Sequence, residues 1–251
     1  MSAASDKFEH DIAESINDNR GVLASRPRVP VTYADVRIDK YNNRNTPKPV
    51  WVEVKMNHTD NLGNTRVFFD GRKWDAARKA GQLELDPIKA FACKYLQQSR
   101  EIKRWIAELG KMADIENPKI PTTKGGLKDP DAIPLEVMRA YFAQRSNQYI
   151  LNKSNVNLGE LVTRHYLEAK TEPAYYIQAA DDFYMIGRDN PLRLPSAIPQ
   201  LKGTGDFKMR VSLRSGYYEI QPEIKITNMG TSSYSCKFGT GKKNPFAGSK
   251  R

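Results

Sequence analysis

Cysteine is scarce in this chain: only Cys93 and Cys236 occur among 251 residues. A disulfide-stapled scaffold is therefore excluded, and a chain of this length buries a substantial core without staples. Cys93 lies in an apolar helical pattern, so both thiols are expected to be reduced and buried or neutral, as in a reducing compartment. Long apolar runs are missing too. No window approaches a membrane span, and MSAASDKFEHDIAESIN at the N-terminus has no basic region followed by an apolar run. The expectation is a soluble protein without a membrane partner, in the cytoplasm of a bacterial, archaeal or phage-infected cell. No spacing of Cys and His supports zinc. GTGKKNPF lacks the full Walker spacing, and Pro245 opposes the helix that must follow, which excludes an ATPase reading.

Positive charge is abundant. Lys and Arg number 40 against 29 Asp and Glu, a formal net charge of +11. The stretch 201–251 alone holds ten basic and three acidic residues, a net +7. Such an excess suits a polyanion partner, nucleic acid first, or serves solubility.

Period and punctuation give the elements. SDKFEHDIAESIND predicts a helix capped by Ser5 or Asp6, with Phe8, Ile12 and Ile16 on its apolar side, ending near Asn19 to Gly21. VPVTYADVRID and VWVEVKM predict two paired strands joined by the polar turn KYNNRNTPKP. TRVFF predicts a third strand, closed by Asp70 and Gly71. Asp86 and Pro87 open one long helix with an apolar stripe from Ile88 to Leu109 and Lys and Arg on its far side, as cover for the sheet. Residues 116–133, dense in Pro, Gly and Lys, predict a mobile loop or boundary. Helices are expected at 135–150 and 158–169, a hairpin turning at Asp181 and Asp182, and two longer strands around Ser215 and Gly216. The division expected is a core at 1–115, a boundary at 116–133, a helical and β extension at 134–238 and a disordered basic tail at 239–251.

The chemistry concentrates at the front. In KPVWVEVKMNH, alternation sends Val50, Val52 and Val54 to one face and Trp51, Glu53 and Lys55 to the other. Paired strands bring Asp35 of YADVRI beside Glu53. Two carboxylates at that distance form a hard oxygen site of the kind magnesium prefers. Lys55 beside them is suited to orient a nucleophile or stabilise a phosphoryl transition state. On the first helix Glu9, next to the core-facing Phe8, is preferred over Glu14 as the acid that points at the sheet. The same Glu-x-Lys pattern is also common on a solvated strand face. Trp51 is suited to stack on a base or to pack at the rim of the core.

These residues, KFEHDIAESI followed by ADVRID and VWVEVK, resemble the PD-(D/E)XK nuclease superfamily. Ala34 stands where the motif has its Pro. The resemblance covers the first quarter of the chain and implies an α/β fold, a mixed sheet with a restriction-endonuclease-like core and an added C-terminal β region. It implies a magnesium-dependent active site, manganese being an alternative ion, with Glu9, Asp35, Glu53 and Lys55 catalytic and Asp35 and Glu53 holding the metal. The activity implied is endonucleolytic hydrolysis of DNA, by a homodimer if both strands are cut. Asn57, His58, Asn61, Asn64 and Arg66 are placed to contact bases or phosphates, or to satisfy a turn. Lys208, Arg210 and Arg214, with Tyr217 and Tyr218, form either a DNA backbone platform or a solvated amphipathic hairpin. Two other readings stand beside the nuclease: a non-catalytic nucleic-acid-binding protein of phage or mobile-element type, and a structural or assembly protein.

Overall fold

The computed structural model describes residues 3–27, 34–57, 66–78, 81 and 83–248. The chain forms two compact units, each built from separated segments: 1–60, 157–204 and 226–251 make the first, and 61–156 with 205–225 the second. The boundary expected at 116–133 lies inside the second unit.

The first unit opens with α1 (Ala3–Asn17), whose Ile12, Ala13 and Ile16 are buried. Ser5 does not cap this helix. It sits within the first turn, and its hydroxyl donates to Glu9 Oε1. A five-stranded sheet follows in the order β1 (Leu23–Ser25), β2 (Val36–Tyr41), β3 (Arg44–Lys55), β7 (Ala174–Ala179), β8 (Asp182–Met185). The β2–β3 turn is much tighter than the ten-residue turn expected. Asn42 and Asn43 take φ of 54° and 63°, the left-handed region Asn tolerates, so two residues suffice. β3 pairs antiparallel with β2 and parallel with β7. Buried on both faces, β7 reads as a nearly continuous apolar run. Val50, Val52 and Val54 of β3 pack with Ile12, Ile16, Val36, Ile38, Tyr176 and Phe183.

Phe246, within the stretch expected as a disordered tail, packs into this core. Phe246 is fully buried there, and the Asn244 amide donates to Ser15 O at 3.2 Å. One aromatic ring in a cavity shaped for it outweighs the local Gly, Lys and Ser composition. Residues 249–251 lie outside the described residues.

The second unit holds a five-stranded sheet in the order β5 (Trp74–Ala76), β4 (Val67–Phe69), β10 (Tyr218–Asn228), β9 (Thr204–Leu213), β6 (Tyr149–Asn157). The strand expected at TRVFF is thus β4, but it belongs to this sheet, because β7 occupies the edge of β3. The long helix is two helices, α2 (Pro87–Gln98) and α3 (Arg100–Ala113). Ser99 is extended, ends α2 and accepts from Ile102 N with its side chain, so one residue serves both ends. Residues 116–133 are not a loose connection either. Phe69 and Ile120 exchange backbone hydrogen bonds, Lys119 pairs with Asp129 and Asp131, and Ile120 and Ile133 are fully buried. The helix expected at 135–150 is α4 (Leu135–Ala143), with β6 taking up the chain soon after. The mixed α/β class expected is the class observed.

Candidate active site

The candidate site lies in the first unit, on the β3 face opposite its valines. Trp51 and Glu53 are each 3% exposed there, so neither belongs to a solvated surface. Trp51 is packed rather than presented to a base. Above this face come α5 (Gly159–Arg164) and a π-helical turn at His165–Ala169, which carries Tyr166 and leads to Lys170.

Glu53 sits among three donors. Lys55 Nζ stands 2.6 Å from Oε1, Lys170 Nζ stands 3.4 Å from Oε2, and the Tyr166 hydroxyl donates to Oε1 at 3.2 Å. Lys170 also lies over the Tyr166 ring, 5.4 Å from its centre. Burial alone would raise the Glu53 pKa, but Lys55 and Lys170 outweigh it and hold the carboxyl below its usual range. Burial works against the Lys55 ammonium, yet Glu53, helped by Tyr166 and Asp35, keeps it ionised far above its usual range. Burial, with Glu53 beside it, lifts the Tyr166 phenol well above 10.

Asp35 precedes β2, and the register Val36 opposite Val52 carries it to the level of Glu53. Its Oδ2 accepts from Val54 N at 2.8 Å, which fixes the carboxyl against β3. Burial first, and then the Glu53 charge, push its pKa up to about 7, against the pull of Lys55. Two carboxylates and an ammonium thus share one desolvated face.

Glu9 is buried on α1 and reaches Asp35 only through its field. Its Oε2 accepts from Arg26 Nε at 2.6 Å, and Arg26 also binds Asp6 at 2.6 Å. Lys55 is positioned by Glu53 rather than by Glu9. Glu14, the acid set aside, is exposed beside His10.

Asp35 and Glu53 fit a magnesium-like cation on the chemistry of their donors. Glu53 Oε2 is buried without a well-formed hydrogen bond, and the Asp35 carboxyl is raised first by burial and then by the Glu53 charge, the second of which a cation would neutralise. Among the described residues no group of three or more His, Cys, Asp or Glu side chains converges. Magnesium is commonly held by one or two carboxylates, the other positions being water and substrate phosphate.

The predicted nucleic-acid contacts fall in both units. Asn57 follows β3, whereas His58, Asn61 and Asn64 lie outside the described residues. In the second unit Arg66 and Arg214 both bind the buried Glu219, at 2.8 and 3.0 Å. Burial opposes ionisation of Glu219, but the Arg214 hydrogen bond and the Arg66 charge hold its carboxyl below the usual range. Lys208 stands 3.3 Å from Asp206 and Arg210 3.9 Å from Glu223. Tyr218, one of the two tyrosines of the expected platform, is fully buried and donates to Ile133 O. The hairpin face is charge-balanced, not a row of uncompensated cations. Asp181 and Asp182 sit at the β7–β8 turn and bind Lys237 and Lys242.

Sequence reading missed Tyr166 and Lys170, which enter the site from more than a hundred residues beyond Glu53. Their only sequence signal is a Tyr and a Lys four apart at the end of a helix running into a strand. Both cysteines are free and buried, and burial raises the Cys93 thiol to about 11. No helix among the described residues is long and apolar enough to cross a membrane.

No family model matches the chain. No curated protein matches it either. A solved structure described as HhaI endonuclease in complex with DNA aligns over 89% of this chain and 91% of its own, with 13% identity and a TM-score of 0.33. A likeness that weak carries no inference about fold or function.

Proposed function

We propose that the protein is a magnesium-dependent DNA endonuclease of the restriction-enzyme type, acting through Asp35, Glu53 and Lys55. The observation that carries this reading is the burial of Glu53, ion-paired to the partly buried Lys55, beside a second carboxyl. Desolvating these charges is expensive, and an apolar strand face would be at least as stable, so the arrangement points to chemistry. Magnesium, or manganese in its place, supplies charge neutralisation at the scissile phosphate and activation of water. Asp35 and Glu53 would hold it. Lys55, kept ionised, cannot act as a base; it orients the attacking water and stabilises charge developing on the phosphate. Lys170 and Tyr166 fix the Glu53 carboxylate and are positioning residues. Cutting both strands of a duplex calls for two such sites, hence a homodimer in solution.

The test is incubation of supercoiled plasmid with and without magnesium. Asp35→Asn keeps an acceptor for Val54 N and carries no charge to bury, so it should keep at least the wild-type melting temperature and lose nicking by about a hundredfold or more. Uncut plasmid across several divalent metals, with DNA bound, would leave the non-catalytic binding protein as the better reading.

A pH dependence follows from Asp35. Its carboxyl keeps its proton up to a pH of about 7, against an ordinary value of 3.8. The raised pKa contributes stability that is complete below the unfolded value and is lost as pH rises through 7. A cation competes with that proton. Magnesium should therefore raise the melting temperature more at pH 8 than at pH 6, and not at all in Asp35→Asn. Equal shifts at both pH values would remove Asp35 from the metal site.

A further inference from the structure

We infer that the exposed face of α3 is the duplex-DNA-binding surface of the second unit. This inference rests on the reading of the protein as one that acts on DNA. Ile102, Trp105 and Leu109 bury one side of the helix. The opposite side exposes Arg100, Lys103, Arg104 and Lys111, with the small Ala107 between them. At 3.6 residues per turn these four cations fall within an arc of about 100° and extend along about 16 Å of helix.

No carboxylate among the described residues pairs with any of the four side chains. The two acids of the helix lie on its flank and are engaged elsewhere, Glu101 by Lys153 at 2.6 Å and Glu108 by Arg145 at 3.6 Å. The arc from Lys103 to Arg104 therefore carries positive charge alone, with the half-exposed Glu101 and Glu108 along one border, whereas an ordinary solvated helix face mixes signs. The contrast with the β9 face is physical. There a phosphate must displace Asp206, Glu219 or Glu223 from its cation, while on α3 it releases only condensed counterions. A band of exposed cations without ion-pair partners among the described residues is complementary to a duplex, which presents one negative charge per about 1.7 Å of its axis.

The test is fluorescence anisotropy of the full chain with a labelled duplex of about 30 base pairs, in EDTA, over a series of salt concentrations. Arg100→Gln, Lys103→Gln, Arg104→Gln and Lys111→Gln combined should weaken binding at least about tenfold and reduce the log–log salt slope by about 3. The comparison variant Lys208→Gln/Arg210→Gln should bind within about twofold of wild type. Circular dichroism should show unchanged helix content, and Arg104→Glu alone, a single exposed change, should weaken binding by about fivefold or more. Wild-type affinity and slope in the fourfold and single variants, or no saturable binding by the wild type, would overturn the inference. Because EDTA removes cleavage from the assay, binding through α3 without magnesium-dependent nicking would sink the nuclease reading and leave this one standing.

Discussion

Glu53→Ala is expected to destabilise the first unit by about 3–5 kcal/mol, because it strands two ammonium groups in a desolvated site. Lys55 and Lys170 stand 2.6 and 3.4 Å from the carboxylate, with side chains only 21% and 11% exposed. The Tyr166 hydroxyl loses its acceptor at the same time. In a chain of this size the corresponding fall in Tm is about 10 °C. Removing one stranded cation should return part of the loss, so Glu53→Ala/Lys170→Met should be more stable than Glu53→Ala alone. Differential scanning calorimetry reads both. A loss under about 1 kcal/mol, with no recovery in the double variant, would mean that water reaches these charges and that the pair is a surface one.

The second large effect is expected at the C-terminal end. Phe246 is fully buried, packs edge-on against Tyr41 and Phe183 at 6.1 and 6.0 Å, and donates its N–H to Asn244 Oδ1. Phe246→Ala should cost about 3–5 kcal/mol, the range for deleting a buried ring whose cavity cannot collapse. A urea titration followed by far-ultraviolet circular dichroism should show the midpoint moving down without a change in slope. An unchanged midpoint would return residues 239–248 to the disordered tail that their composition suggested.

Much of the local structure was legible because local forces decide it. The alternation of valine with Trp51, Glu53 and Lys55 survives as two faces of β3, and helical spacing located α1. Asp86 and Pro87 do open α2, the aspartate accepting from Ile88 N and Lys89 N. Hairpin pairing was enough to bring Asp35 to Glu53, since register follows from a short turn. Errors arose where a local signal met a distant partner. The run TRVFF has the strand propensity expected of it, but propensity does not say which sheet receives it. Ser99 is unremarkable within a helical pattern, yet its extended backbone ends α2 and caps α3. Residues 116–133 carry the composition of a loop, yet Ile120 and Ile133 anchor them in a core.

Charge obeyed the same division. The sequence alone determined that the chain is strongly basic, that its cysteines are too few to staple it, and that Asp35, Glu53 and Lys55 are one hairpin apart. Those facts depend on composition, alternation and short loops, none of which requires knowledge of distant neighbours. Only the tertiary structure decided that Glu53 and Trp51 of this face are buried, that Lys170 and Tyr166 complete the site, and which cations already have carboxylate partners. Burial and pairing depend on contacts between residues far apart in the chain. Two arginines of equal charge, Arg104 and Arg214, differ in what they can bind because Glu219 folds against one of them and no carboxylate among the described residues pairs with the other.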